Sequence, residues 1–161
     1  MEPIQNSEAL KNLLNTDRFC ILPWIHFHAW PDGKTFPCCM SDSRKPVANT
    51  NAESIIKMMN SDDFKELRLN MLSNKVSKIC HRCYDVEKLG TWSLRQSNNV
   101  QRGMKNLHIV NETNPDGSID NFILKYLDIR FSNICNFKCR SCGPSCSSQW
   151  AQEQYAWCRI S

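Results

Sequence analysis

The stretch Tyr126-Leu127-Asp128-Ile129-Arg130-Phe131-Ser132-Asn133-Ile134-Cys135-Asn136-Phe137-Lys138-Cys139-Arg140-Ser141-Cys142 alternates apolar and polar residues and then closes on three cysteines. Period-2 alternation reads as a strand. Leu127, Ile129 and Phe131 lie on one face, and Tyr126, Asp128 and Arg130 on the other. The C-x3-C-x2-C array that follows puts three thiolates on one short loop. Three thiolates can grip three corners of an iron–sulfur cube and leave the fourth iron open to a small molecule. An electron-transfer cluster takes four cysteines, commonly in a C-x2-C-x2-C-x3-C run, and a zinc ribbon takes two C-x2-C knuckles. The spacing here fits neither.

The chain has 161 residues, ten of them cysteine, and a formal net charge of +4. That length predicts one domain, or two small ones. No basic segment followed by an apolar one opens the chain, and the apolar runs are far shorter than a membrane span. A cytoplasmic setting is expected, where clustered cysteines bind metal or do chemistry rather than form disulfides. The charge is scattered with no Lys/Arg block, so neither nucleic acid nor membrane is an expected partner. No Ser/His/Asp or Cys/His triad supports hydrolysis.

Residues 1–19 read as a lead-in, with a short helix in which Leu10, Leu13 and Leu14 share a face, or as a partly ordered terminus. Ile25, Phe27 and Ala29 alternate with His26, His28 and Trp30, which predicts a half-buried strand. Pro31-Asp32-Gly33 is a turn, and Lys34-Thr35-Phe36-Pro37-Cys38 the return strand, shortened by Pro37. Thr50-Asn51-Ala52-Glu53 reads as a capping box before a first helix. Ser61-Asp62-Asp63 opens a second, with Phe64, Leu67, Met71 and Leu72 as its apolar stripe. The knuckle Cys80-His81-Arg82-Cys83 is expected at the end of that second helix. Residues 84–89 continue helically to Gly90, 93–103 read as a polar crossing, and 107–110 as a short strand. Asn114-Pro115-Asp116-Gly117 is a turn, and Ser147 to Trp157 a helix.

Cys20, Cys38, Cys80 and Cys83 form a second set, in which a hairpin and a knuckle would bring four thiolates to one closed site. Spacing alone leaves structural zinc and an iron–sulfur cluster equally open. The three-cysteine loop in the same chain favours iron and sulfide. Cys39 is an alternative ligand beside Cys38, and Cys146 and Cys158 have no interpretable spacing. His26 and His28 read as strand-face residues, with a hydrogen bond from His26 to a cluster sulfur as the functional option.

The stretch 126–142 resembles the start of a radical S-adenosylmethionine enzyme core, with Asn136-Phe137-Lys138 between the first two cysteines strengthening the likeness. The resemblance implies that Cys135, Cys139 and Cys142 are both catalytic and cofactor-binding. They would hold a [4Fe–4S] cluster whose open iron is chelated by S-adenosylmethionine. Where the family usually carries an aromatic residue before the third cysteine, this chain has Ser141. The second set resembles the twitch domain, a shortened relative of the SPASM domain: Cys20, Gly33 and Cys38 match its first half, Cys80 and Cys83 its knuckle. Arg68 and the Gly90/Ser93/Arg95 neighbourhood are also similar. Leu89 stands where the longer SPASM form continues with a cysteine, which implies one auxiliary cluster. In most relatives this domain follows the barrel, whereas here it precedes it.

The expected fold is therefore an α+β N-terminal auxiliary-cluster domain, a β-hairpin plus helices, over residues 20–95. A linker, 96–122, leads to the first β-strand, cluster loop and helix of an incomplete α/β radical S-adenosylmethionine barrel over 123–161. A whole barrel needs about 200 residues or more, so the chain reads as the front part of a longer enzyme, and the resemblance implies little activity alone because the segments that hold methionine and ribose come from later strands. The resemblance implies two [4Fe–4S] clusters and S-adenosylmethionine as cofactors, and a 5′-deoxyadenosyl radical that abstracts hydrogen. It also implies a peptide or small-molecule substrate and an external one-electron donor such as flavodoxin or ferredoxin. The competing readings are a non-enzymatic cysteine-rich zinc-binding interaction module and an electron carrier using Cys146 as a fourth ligand.

Overall fold

A computed structural model describes residues 7–51, 53–144 and 146–157. Helix α1 (Ser7–Leu14) turns Leu10, Leu13 and Leu14 to the core as its spacing predicts. After a short loop comes α2 (Leu22–Ile25), one turn with Pro23 at its start and all four side chains buried. Proline suits that position because the missing N–H has no helical partner there and φ is already helical. Ile25 thus ends a helical turn instead of opening the strand. Strand β1 (His26–Ala29) follows, and β2 (Lys34–Phe36) returns antiparallel with His28 opposite Phe36 and Ala29 opposite Thr35.

Gly33 makes this hairpin possible. Its φ is +84°, and a Cβ there would sit 2.5 Å from Asn49 Oδ1 and 2.6 Å from Asn51 Nδ2. Its amide donates to Trp30 O at 2.9 Å, and its carbonyl accepts from the Thr50 amide at 2.8 Å. The turn is therefore both left-handed and covered, which only glycine satisfies without strain. The two-residue strand β3 (Ala48–Asn49) pairs with β2.

The segment 123–131 yields a strand β4 (Tyr126–Ile129) with the face assignment read from the sequence. It does not stand apart from the hairpin. It pairs parallel with β1, His26 opposite Tyr126 through Ala29 opposite Ile129, in a sheet of order β3-β2-β1-β4. β1 is consequently buried along its whole length, on both faces, rather than half-buried.

Phe27 and Ala29 pack on Val47, Met58, Met59 and Phe64. The last three come from α3 (Ile55–Met59) and α4 (Asp62–Leu72), whose Phe64, Leu67 and Met71 are buried as the stripe predicts. The cap of α3 is Ser54, not the Thr50 box. A second core joins α1, α2 and α4 to Leu107, Ile109 and Val110. Those three belong to helix, a correction of the predicted strand at 107–110. The 93–103 region is likewise not an extended crossing. Ser93 caps a helix that begins at Leu94, through a reciprocal capping box with Gln96. In order, the helices are α5 (His81–Lys88), α6 (Leu94–Asn98), a π-helical turn (Asn99–Gly103) and α7 (Met104–Asn111). The run is helical despite its polarity because Arg95, Asn98, Asn99 and Asn106 are buried and bonded inside. Helix α8 (Ser148–Trp157) follows the cysteine loop. No helix among the described residues is long and apolar enough to cross a membrane. The α+β expectation holds.

Arg68 locks these layers together. It is fully buried, with Nε and Nη2 donating to Pro23 O at 3.1 and 3.0 Å and Nη1 to Gly117 O at 3.1 Å. Burial pulls its pKa down to about 10. A guanidinium can serve two carbonyls on different segments at once, which an ammonium cannot.

The second sheet face is polar. His26 Nδ1 donates to Tyr126 O at 3.0 Å, and the two rings stack at 4.4 Å. Trp30 Nε1–H donates to His28 Nε2 at 2.9 Å, and an indole N–H can only donate. His28 therefore carries its proton on Nδ1, which faces Asp128 Oδ2 at 2.9 Å. Burial pulls His26 down to about 4 and lowers His28 as well. Arg102 lies over Tyr126 at 4.6 Å and Arg130 over Trp30 at 5.2 Å.

Two outcomes are expected from these contacts. Arg68→Leu leaves the Pro23 and Gly117 carbonyls without their donor and should cost about 2–4 kcal/mol in denaturant unfolding, with Arg68→Lys recovering only part. Because native His26 titrates near 4 while an unfolded histidine titrates near 6.5, the unfolded chain binds the extra proton in that window. Stability should fall by up to about 3 kcal/mol as pH drops through it, and His26→Gln should flatten that slope.

Candidate metal centre

Cys20 follows the loop after α1, Cys38 ends the hairpin, and Cys80 and Cys83 straddle the start of α5. The knuckle opens this third long helix rather than ending the second: α4 stops at Leu72, and a 3-10 turn (Lys78–Cys80) leads into α5. All four cysteines are free thiols lining one cavity, walled by Leu22, Met40, Ile79, Leu94 and Arg95. Cys20 is 6% exposed. Chain segments more than 60 positions apart thus deliver their sulfurs to one apolar pocket, Cys20 and Cys83 being the outermost.

Burial dominates the electrostatics. It raises Cys20 well above an ordinary thiol, with the charges of Cys38 and Cys80 adding to it. It pushes Cys38 up to about 11 and Cys80 up to about 12, and it raises Cys83. Four thiolates here repel one another out of reach of water; the Arg95 guanidinium offsets part of that charge at Cys80 and Cys83, and bound cations would offset the rest. The donor set fits such a group. A tetrahedral zinc holds each sulfur at about 2.3 Å, which would draw the sulfurs to about 3.8 Å from one another. Among the described residues no three His, Cys, Asp or Glu side chains gather tightly enough to hold one metal ion. Four thiols around one cavity supply the ligand count of a polynuclear cluster, in which each sulfur binds its own iron, as they do that of a tetrahedral zinc.

The pocket's backbone is fixed by polar side chains. Asn99 accepts from the Ile21 amide at 3.0 Å and donates to Phe19 O at 2.9 Å, so it brackets Cys20 on both sides. Arg95 Nη1 donates to Thr16 O and Phe19 O, both at 2.9 Å, while Nε and Nη2 grip Glu87 at 2.8 and 2.7 Å. Burial opposes the charge of Glu87, yet hydrogen bonds from Arg95 and Ser93 hold its carboxyl below the usual range. Arg95 therefore ties the Cys20 segment to the helix that carries Cys83. The resemblance pointed to Arg95, but reading the sequence missed Glu87 and Asn99. The Ser93–Gln96 capping box was a legible signal for α6; nothing local marked Asn99.

The other candidates sit elsewhere. Cys135 is half-buried and Cys139 and Cys142 are exposed on an irregular loop. The loop is pinned from the start of α8: Ser147 Oγ donates to Phe137 O at 2.7 Å, Trp150 Nε1 to Cys139 O at 3.0 Å, and Ser148 Oγ accepts from the Cys135 amide at 3.2 Å. Cys39 is exposed, outside the residues that line the four-cysteine cavity. Cys146 is half-buried and accepts from Arg130 Nη1 at 3.3 Å. Cys158 lies outside the described residues. His26 and His28 do not line the cavity. With the His26 proton committed to Tyr126 O through Nδ1, its Nε2 has none to donate to a sulfide, which corrects that option.

Residues 20–84 match the SPASM family, an iron–sulfur cluster-binding domain. No curated protein and no solved structure matches the chain. The matched span starts at Cys20 and ends one residue past Cys83, so it contains all four cavity cysteines, and it speaks for iron–sulfur cluster binding.

Asn99→Ala unpairs the Ile21 amide and the Phe19 carbonyl. The reconstituted protein should lose about 1–3 kcal/mol of stability, and its iron should be about 10–100-fold more weakly held against a chelator.

Proposed function

We propose that this chain belongs to a radical S-adenosylmethionine enzyme and carries one auxiliary [4Fe–4S] cluster ahead of the catalytic core. The observation that carries the reading is the convergence of Cys20, Cys38, Cys80 and Cys83 on one buried cavity within the matched iron–sulfur span. These four would be the auxiliary ligands, and Cys135, Cys139 and Cys142 would hold the cluster that binds S-adenosylmethionine. Segment 20–95 is then the auxiliary domain, 96–122 its connection, and 123–161 the opening of the core.

Two features support the core assignment. The three-cysteine loop follows a strand, β4, within a few residues, the place it would take after the first strand of a barrel. Part of the apolar side of this stretch is also uncovered: Ile129 packs against the Phe27–Ala29 core, but Leu127 is 48% exposed, and Phe131 and Ile134, beyond the strand, are each 85% exposed. Further strands and helices of a core would cover such a face.

A cluster held by Cys135, Cys139 and Cys142 would supply one-electron reductive cleavage of S-adenosylmethionine and, through it, hydrogen abstraction from a peptide or small-molecule substrate. The chain's own residues have the simpler tasks. Ser147, Ser148 and Trp150 hold the loop backbone, while Leu22, Ile79 and Leu94 keep water from the four-thiolate pocket.

Anaerobic reconstitution should give roughly eight iron and eight sulfide per chain. Adding S-adenosylmethionine should change one reduced paramagnetic signal and leave the other. Cys135→Ala should abolish the responsive signal, and Cys83→Ala the silent one. About one zinc per chain without sulfide would overturn the reading in favour of a zinc module.

A further inference from the structure

A second depression abuts the four-cysteine cavity. It is lined by Asp42, Lys45, Val76, Lys78, Ile79 and His81, with the Ser77 hydroxyl beneath. Ile79 lines both spaces, so one side chain separates the buried thiols from this surface. The strip from Lys75 to Arg82, Lys-Val-Ser-Lys-Ile-Cys-His-Arg, contains three cations and no acid. Lys45, Lys78 and Arg82 are exposed. Asp42, the acid of the groove, is already gripped by Arg44 through two hydrogen bonds of 3.0 Å. Val76, 62% exposed, forms an apolar centre among these charges.

A small apolar spot ringed by one sign of charge suits a brief electrostatically steered encounter, in which charge sets the approach and little area is buried. Building on the cluster assignment above, we propose that this groove is the docking site of a small acidic one-electron carrier protein, and that its electron crosses at Ile79. The carrier is oxidised by one electron and the four-cysteine cluster reduced by one; no atom or proton is transferred. Lys45 and Lys78 attract the acidic rim of the carrier, and Val76 meets the apolar edge around its redox group.

The test uses the full chain with Cys135, Cys139 and Cys142 replaced by alanine, so that only the four-cysteine site is loaded. An acidic flavodoxin is the probe. Its oxidised form is titrated calorimetrically at low ionic strength, and its hydroquinone is mixed with the loaded protein while cluster bleaching is followed. In a K45E/K78E background, the Kd should rise and the bleaching rate should fall, each by about tenfold or more, with the difference shrinking at high salt. Iron and sulfide content, and the rate of reduction by methyl viologen radical, should not fall. K45A/K78A, which adds no repulsion, should move both quantities in the same direction by a smaller factor. K57E/K105E reverses two exposed cations outside the groove and should change neither. Unaltered binding in K45E/K78E and K45A/K78A, or an equal loss in K57E/K105E, overturns the docking site while leaving the cluster assignment standing. Failure of the parent variant to take up iron and sulfide overturns that assignment, and the docking site with it.

Discussion

The Arg95 guanidinium is the contact on which the four-cysteine pocket depends. One face of its fork holds the carbonyls of Thr16 and Phe19; the other holds both oxygens of Glu87. Those two partners belong to segments that share no regular hydrogen-bond ladder. Without the arginine, the Cys20 stretch and helix α5 would meet through apolar contacts, the Arg18 guanidinium over the Tyr84 ring at 4.7 Å and a long 3.5 Å hydrogen bond from the Tyr84 hydroxyl to Arg18 O, which resist separation but set distance loosely. A planar, always-charged fork sets it, because parallel bonds to a carboxylate fix both separation and angle. The pair is also nearly dry, with Arg95 6% and Glu87 14% exposed at their side chains. Removing either partner alone would strand a buried charge, which costs more than the pair contributes.

That rigidity answers a problem the thiols create. Burial and mutual repulsion both disfavour thiolates in this pocket. A protein that relied on the sulfurs to hold the pocket together would have nothing to hold it before metal arrives. Here the frame is built from groups other than the sulfurs: Asn99 across Cys20, Ser41 beside Cys38 at 3.7 Å, and the Glu87–Arg95 pair beside Cys83. The sulfurs can then wait as neutral thiols, and deprotonation accompanies the arrival of iron.

Much of this was legible in the chain itself. Spacing picked out the four cysteines and the hairpin, because a Pro-Asp-Gly turn and a C-x2-C knuckle are local features with local causes. The α4 stripe and the turn at Asn114–Gly117 were legible for the same reason. The misreadings were non-local. Residues 93–110 looked like a crossing and a strand because their polar side chains suggested solvent. In the fold, Arg95 and Asn99 point inward to bond backbone that lies about 80 positions earlier, as Asn99 does with Phe19, while buried Asn98 bonds Leu94 O one turn back. Periodicity treats a polar residue as outward and cannot register such a partner. The pairing of β4 with β1 was hidden for a related cause: parallel neighbours need a long crossover, and here it spans residues 30–125.

That parallel pairing has a mechanical consequence for the two cysteine sets. β1 leads through the hairpin to Cys38, and β4 leads directly to Cys135. Their register is held by side chains as well as backbone, through Tyr126 stacked on His26, Asp128 against His28, and Arg130 over Trp30. A one-residue slip would move Asp128 and Tyr126 to the opposite face and place Leu127 against the histidines. Because Trp30 can only donate to His28, the histidine offers a proton to Asp128 in this register and in no slipped one. The polar face is therefore a register lock, and its effect extends to the loop. Only five residues lie between Ile129 and Cys135, a reach of about 20 Å at full extension, and the far end of the loop is tied to α8. The three-cysteine loop is thus tethered on one side to the sheet that frames the four-cysteine pocket, while its exposed apolar side stays free for contact.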